Sequence, residues 1–115
     1  MQRGEVHLVD LEPIRGAESN KFRPAVIVSN DGANAAADRY GRGVVTVVPL
    51  TSNVARVYSF QMVVPAGIAG LSVDSKAQAE QVRAIDVTRV RRRLGVLPPD
   101  LLRELDDALR LHLSL

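Results

Sequence analysis

Short apolar segments separated by turn residues constrain the fold of this chain more than any other feature. Five of them are rich in β-branched residues and bounded by Gly, Pro, Asn or Asp, a pattern typical of β-strands. They comprise residues 5–11, 24–29, 43–50, 59–65 and 76–83. Strands this short and numerous must curl to bury one core. The sequence therefore predicts a mainly β fold, with a small, strongly bent antiparallel sheet or open barrel.

The side-chain pattern within these segments predicts how each strand is buried. The second and third segments are nearly all apolar, which indicates the middle of the sheet. In the fourth, Phe60, Met62 and Val64 fall on one face, because side chains alternate along a strand. The fifth alternates as a half-buried strand, so Ala77 is expected to face the core and Lys76 the opposite side.

A helix is predicted at the C-terminal end of the sequence. Residues 98–115, PPDLLRELDDALRLHLSL, place prolines in the first turn and Asp100 near the positive end of the helix dipole. Leucines at helical spacing form an apolar stripe that would cover the sheet. Residues 31–43 fit either a short helix or a loop, and residues 84–99 fit one more short strand or turn.

Composition limits the chemistry that the chain can perform. A chain of 115 residues predicts a single domain, residues 1–115. It contains no cysteine, which excludes disulfides, thiolate nucleophiles and zinc sites built on cysteine. The opening residues include acids and lack a long apolar run, so we expect a cytoplasmic protein without a membrane segment.

The charge pattern permits nucleic-acid binding without requiring it. The net charge is only +2, but 13 of the 15 basic residues are arginine, whose planar guanidinium suits phosphate. The dense run RVRRR at 89–93 is expected to be a solvated strand or turn. The histidines, His7 and His112, have no partners at metal-ligand spacing and are expected to be structural or solvent-facing.

Polar groups at strand ends are the remaining candidates for a functional site. Arg23 precedes Pro24, which favours an extended backbone at the start of the second strand. Thr51 and Ser52 follow the third strand, and Glu80, Gln81 and Arg83 end the fifth. Each group also has an ordinary structural interpretation, since TSN is common in turns and Glu80 with Arg83 could form a surface ion pair.

The motifs together resemble the MazF/PemK/Kid family of toxin endoribonucleases. RGEVHLVDLEPIRGAESNKFRPAVIVSND, VVTVVPLTSN and AEQVRAID occur in the order and at the spacing of that family, over nearly the whole chain. The resemblance implies a small SH3-like open barrel of the CcdB/Kid type. It also implies sequence-selective, metal-independent and cofactor-free cleavage of single-stranded RNA by the neighbouring 2′-hydroxyl, with a cyclic phosphate or 3′-phosphate and a 5′-hydroxyl as products.

The same resemblance implies the site residues. Arg23 matches the family's catalytic arginine and Thr51 its companion threonine. One branch of the family uses a loop histidine and an arginine two positions before an acid, where this chain has Ala17 and Gln78. Glu80 keeps the acid, but the histidine and the arginine that accompany it are missing. The resemblance therefore places the chain with the branch that relies on the arginine and threonine, and Glu80 is a second candidate for the catalytic base. The residues expected to line the RNA groove are Glu18, Asn20, Lys21, Ser52, Asn53, Gln81 and Arg83.

The resemblance also implies partners and leaves two alternatives open. A homodimer is expected, together with a cognate antitoxin whose acidic, initially disordered segment blocks the RNA groove. The alternatives are a passive SH3-like module that binds RNA or protein, and a gyrase-poisoning toxin of the same fold. The second relies on a C-terminal Trp-Gly-Ile, whereas this chain ends LHLSL and contains no tryptophan.

Overall fold

The computed structural model describes residues 1–11 and 22–115. Two helices and seven strands make up the described fold, together with short 3-10 turns at Ala79–Gln81 and Val87–Arg89. In chain order the elements are β1 Glu5–Asp10, β2 Phe22–Ile27, α1 Asp31–Tyr40, β3 Val44–Thr51, β4 Gln61–Val64, β5 Ser75–Gln78, β6 Arg83–Asp86, β7 Val90–Val96 and α2 Pro99–Leu113. No helix within the described ranges is long and apolar enough to span a membrane.

The strands form one antiparallel sheet in the order β4-β5-β3-β2-β1-β7, with β6 paired to β3 beside β5. β3 is shared between two partners on the same side: Val44–Val47 pair with β6, whereas Leu50 and Thr51 pair with β5. Strand β3 therefore changes its partner on this side between Val47 and Leu50, close to Pro49. This arrangement confirms the prediction of a mainly β, bent antiparallel fold with a C-terminal helix.

The sheet is covered by a helix on each face, because its central strands are apolar on both sides. Along β2, Val26 packs in the core under α2, and Ala25 and Ile27 pack in the core under α1. Leu105 of α2 is fully buried in the core on its face of the sheet, and Ala37 of α1 lies in the core on the opposite face. The nearly continuous apolar run of the second predicted strand thus reflects burial on both faces.

Helix α1 begins at the Ser-Asn-Asp sequence that follows β2, and it resolves the choice between helix and loop. The Asn30 side chain accepts a hydrogen bond of 2.8 Å from the amide of Ala33, as an N-cap does. Asn34 is fully buried, and its amide donates to the Ser29 carbonyl oxygen at 2.9 Å. The Ser29 hydroxyl accepts from the Thr46 amide at 3.0 Å, so this polar network connects α1 to β3.

The predicted fifth strand, residues 76–83, is wrong in its extent. Strand β5 ends at Gln78, a 3-10 turn follows, and β6 begins at Arg83 on a different part of β3. The predicted alternation also fails at its start, since Lys76 and Ala77 are both buried. Lys76 tolerates burial because its ammonium group donates to the carbonyl oxygen of Arg56.

The remaining segments differ less from expectation. Met62 and Val64 are buried and Val63 is exposed, which agrees with the predicted face of the fourth strand, although Phe60 lies just outside β4. Residues 84–99 contain more strand than predicted, because they include the end of β6 and all of β7. His7 is buried and structural, since its ring contacts Glu5 Oε1 at 2.9 Å and the Arg91 carbonyl oxygen at 3.0 Å.

Candidate active site

The pairing of β2 with β3 brings Arg23 and Thr51 to the same end of the sheet. The pairs Ile27 with Val47 and Ala25 with Pro49 fix the antiparallel register. Continued by two residues, that register places Arg23 opposite Thr51, at the end of the paired region. Residues far apart in the sequence thus occupy neighbouring positions on adjacent strands, whose backbones lie about 4.8 Å apart.

A groove of about 630 Å³ lies at this end of the sheet, and Arg23, Thr51 and Ser52 all line it. Apolar residues of β1, β2, β3 and β7 supply part of its surface, and residues 70–73 with Ser75 form one wall. The described lining contains two arginines and several hydroxyl groups but no Asp or Glu. The full set is Leu8, Arg23, Pro24, Leu50, Thr51, Ser52, Gly70, Leu71, Ser72, Val73, Ser75, Arg92 and Leu94.

Arg23 is fixed through its backbone, and its side chain has no partner among residues 1–11 and 22–115. Its backbone pairs with Val9 of β1, so the residue belongs to the sheet and not to a loop. Its side chain is exposed and makes no hydrogen bond or ion pair with the described residues. A guanidinium is cationic at neutral pH and donates up to five hydrogen bonds, so Arg23 is available to bind an anion.

Thr51 contributes a hydroxyl group that is oriented by its own turn. Thr51 Oγ1 accepts a hydrogen bond of 3.2 Å from the amide of Asn53. Because a hydroxyl group both accepts and donates, this contact leaves its hydrogen available for a ligand in the groove. Together, Arg23 and Thr51 can offer one charged and one neutral donor to a phosphate group.

Comparison with known proteins identifies the family. The model of the PemK-like, MazF-like toxins of type II toxin–antitoxin systems matches residues 2–113. The chain belongs to this family. It is 57% identical over 115 residues to endoribonuclease MazF9 of Mycobacterium tuberculosis H37Rv, covering all of this chain and 98% of that protein. The family predicted from the motifs is therefore confirmed.

Solved structures agree with the fold of this MazF-like toxin. MazF (Form-I) from Deinococcus radiodurans matches with a TM-score of 0.77 and 26% identity, covering 100% of this chain and 97% of that one. An endoribonuclease from a mycobacterial species, in complex with its cognate antitoxin, matches with a TM-score of 0.76 and 23% identity, covering 100% and 96% of the two chains. The predicted barrel of the CcdB/Kid type is consistent with these structures.

The structure brings some of the predicted site residues of the toxin together and separates others. Ser52 lines the groove beside Thr51, whereas Asn53 lies outside the lining and accepts a hydrogen bond from the Ala55 amide at 3.3 Å. Gln81 and Arg83 are exposed but line no part of the groove. The predicted residues Glu18, Asn20 and Lys21 lie outside the described residues.

Glu80 occupies a different environment from Arg23 and Thr51. It is half-buried in the 3-10 turn after β5, and one carboxylate oxygen accepts from Gln61 Nε2 at 2.8 Å. Its other oxygen is buried without a hydrogen-bond partner among the described residues. Gln61 Oε1 in turn accepts from the Tyr58 amide at 3.0 Å. Glu80 therefore belongs to a network with β4 and does not line the described groove.

The site also contains residues that sequence reasoning did not select. Ser72 and Ser75 supply hydroxyl groups to the wall of the groove, and Arg92 supplies a second arginine. Arg92 belongs to the run 89–93, for which the sequence predicts a solvated strand or turn. The sequence carried the correct residue type, but no local motif shows that β7 lies next to β1. Within residues 1–11 and 22–115, no group of three or more His, Asp and Glu side chains could hold a metal ion.

Proposed function

We propose that this toxin is an endoribonuclease that cleaves single-stranded RNA in the groove at Arg23 and Thr51. The observation that carries this proposal is the register of β2 and β3, which sets an arginine opposite a threonine in a groove without a described carboxylate. The 57% identity to a protein named endoribonuclease MazF9 supports the reaction class. A passive barrel would not require these two residues to lie together.

The reaction uses a nucleophile that the substrate itself supplies. The 2′-hydroxyl oxygen attacks the adjacent phosphorus, the bond from phosphorus to the 5′ oxygen breaks, and a cyclic phosphate and a 5′-hydroxyl are left. The 2′-hydroxyl proton passes to water in the open groove, and water protonates the leaving 5′ oxygen. The five-coordinate intermediate carries more negative charge on its oxygens than the starting diester, so donors aimed at it accelerate the reaction.

Arg23 and Thr51 supply those donors in the proposed mechanism. Arg23 stabilises the charge because its guanidinium is cationic and has no competing partner among the described residues. Thr51 donates a hydrogen bond to the scissile phosphate and orients it. Neither role needs a metal ion, so cleavage is expected to continue in an excess of chelator.

Substitution at both positions tests this proposal. Arg23→Ala should slow cleavage roughly 100- to 1,000-fold, the typical loss for one charge-stabilising donor. Thr51→Ala should cost less, and Thr51→Ser should retain most activity because it keeps the hydroxyl group. The measurement is cleavage of a short RNA in excess chelator, with the product ends analysed and circular dichroism as the folding control. Normal cleavage by Arg23→Ala would refute the mechanism.

Glu80→Gln tests whether the catalytic base is Glu80, the position of the acid in the other branch of the family. We expect a small loss, because Glu80 hydrogen-bonds to Gln61 and is absent from the described groove. Glutamine at this position keeps the size of the side chain and its ability to accept from Gln61. A loss equal to that of Arg23→Ala would instead make Glu80 the base and would contradict proton transfer to water.

We also propose that the toxin is a homodimer. Leu111 and Leu113 at the end of α2 and Leu115 just after it are exposed, so this end of the helix offers apolar surface to a partner. A two-fold interface over apolar surface of this kind would bury it and would join two RNA grooves. Sedimentation at micromolar concentration should show a dimer, and a monomer at that concentration would contradict this proposal.

The remaining partner is an antitoxin that occupies the groove. A solved neighbour of this fold is in complex with its cognate antitoxin. For this toxin we propose an acidic segment, disordered before binding, whose carboxylates pair with the groove arginines. RNA and antitoxin should then compete. Cleavage that continues at the full rate with antitoxin bound would contradict this mode of inhibition.

A further inference from the structure

The arginines of β7 differ in whether their guanidinium groups already have partners among the described residues. Arg91 Nη1 donates to the Thr88 carbonyl oxygen at 3.1 Å, and its guanidinium lies 5.9 Å from the centroid of the Phe22 ring. Arg93 Nε lies 3.6 Å from Glu5 Oε1. Arg92 makes no hydrogen bond, ion pair or ring contact with any residue in the described ranges.

The pairing of β7 with β1 directs Arg92 to the groove. His7 pairs with Arg93 and Val9 pairs with Val90, so two residues of β7 lie opposite the single residue Leu8. This is a β-bulge, a feature that bends a strand and re-aims its side chains, and that occurs often beside active sites. Leu8 itself pairs with Pro24, the residue after Arg23. Arg92 is therefore two strands away from Pro24, or about 10 Å at the usual strand spacing.

The described lining of the groove carries positive charge that no acidic residue of the lining compensates. Arg23 and Arg92 are its charged residues among the described lining, and no described Asp or Glu lines it. Two guanidinium groups that face one groove repel each other, and an anion between them removes that repulsion. A single phosphate at Arg23 would leave Arg92 without a partner. A strand with several phosphates satisfies both arginines.

We infer that Arg92 binds a backbone phosphate that flanks the scissile phosphate, and so holds the RNA strand across β7, β1 and β2. The inference rests on the proposed function, since it takes the scissile phosphate to lie at Arg23 and Thr51. Arg92 contributes to binding in the ground state and the transition state equally. Its loss should therefore weaken RNA binding and leave the rate at saturating RNA unchanged.

The first test measures binding to a short RNA that carries a 2′-deoxy residue at the cleavage site and so cannot be cut. Arg92→Ala should raise Kd roughly tenfold or more, because a hydrogen-bonded charge pair is lost. The slope of log K against log salt should become less steep by about 0.7, the value for one phosphate contact on a single strand. Arg93→Ala is the matched control, since it removes the same charge from the neighbouring position, where Glu5 already neutralises it.

The second test locates the phosphate. Neutral methylphosphonate linkages are introduced one at a time into the same RNA. In the wild-type toxin, one neutral linkage next to the scissile position should weaken binding. The same linkage should leave the Kd of Arg92→Ala unchanged, whereas linkages at other contacts should weaken binding by both proteins. This pattern is the signature of a direct contact between Arg92 and that phosphate. Arg92→Lys should restore part of the salt dependence, because it keeps the charge.

The outcomes separate this inference from the proposed function. Equal Kd values and salt slopes for Arg92→Ala and Arg93→Ala would overturn the inference. A loss in rate at saturating RNA as large as that of Arg23→Ala would also overturn it, since Arg92 would then act in the chemical step. If the wild-type toxin binds RNA but does not cut it, the proposed function fails, while the Kd values and salt slopes of the variants, measured on unmodified RNA, still decide whether Arg92 binds a phosphate.

Discussion

Replacing Gly70 with alanine should destabilise the wall of the groove by removing a backbone contact that only glycine permits. Gly70 has φ of +78°, and a Cβ built there would lie 2.1 Å from the Leu94 carbonyl oxygen and 2.6 Å from its carbon. Those atoms belong to the backbone of β7, so no side-chain rotation relieves the clash. Either the loop or the strand must move by more than about 1 Å to restore an ordinary van der Waals contact of about 3.5 Å.

The cost of that movement can be separated from the cost of the backbone conformation. Gly67 lies three residues earlier with φ of +88°, and a Cβ added at that position would have no neighbour within 4 Å. Gly67→Ala should therefore lose only the preference of glycine for positive φ, about 1–2 kcal/mol. Gly70→Ala should lose that amount and a further 1–3 kcal/mol, typical for overpacking a tight contact. Displacement of buried Leu71 would add to this difference.

Parallel urea unfolding of the wild-type toxin and both variants measures this difference. All three proteins should be compared at one concentration, because a dimer would make the apparent free energy of unfolding depend on concentration. RNA cleavage below the unfolding transition gives a second measurement. Gly70→Ala should raise KM more than Gly67→Ala does, since the displaced wall lines the groove. Equal free energies of unfolding for the two variants would refute the close packing of Gly70 against β7.

Three further perturbations test other parts of the fold. Asn30→Ala should lower the free energy of unfolding by about 1 kcal/mol through loss of the α1 N-cap, and Asn30→Ser should restore most of it, as measured by urea unfolding. Asn34→Leu should cost about 1–3 kcal/mol, because it leaves partly buried polar groups of Ser29 without their Asn34 partner. Hydrogen bonds from the Thr88 amide and hydroxyl lower the pKa of Asp86. The ionised Asp86 carboxylate thus contributes stability above the ordinary Asp pKa, and this stability is lost as pH falls through the lowered pKa. NMR titration of the wild-type toxin, with Asp86→Asn to assign the signal, would detect the lowered pKa.

The fold was predictable from sequence where the burial of one segment decided its structure. The apolar run of β2 and the helical spacing in α2 each predict their element without help from distant residues. The boundary between β5 and β6 was not predictable in this way. Residues 79–82 contain neither Gly nor Pro, and the turn there depends on Gln61 contacting Glu80 and on β3 offering a second pairing position to β6.

The same distinction explains which parts of the candidate site could be anticipated. Arg23 and Thr51 stand beside recognisable strand ends, so both the motif and the pattern of the strands indicated them. Arg92 was missed because its position depends on a bulge in the register of β7 against β1, and one strand alone does not encode the register of a pair. Glu80 was expected at the end of a strand that in fact stops at Gln78.

The family motifs themselves divide into structural and groove-forming parts. Arg3, in the opening RGE motif, donates from Nε to the Val28 carbonyl oxygen and from Nη2 to Asp106 Oδ1, both at 2.8 Å. Its amide also donates to Asp31 Oδ1 at 2.7 Å, so the motif connects the residue that follows β2 to both helices. These contacts use the first arginine of the chain to hold the layers together, whereas Arg23 carries none within the described residues. An arginine that already has carboxylate and carbonyl partners stabilises the fold, and one that reaches a groove without such partners among the described residues is available to bind an anion.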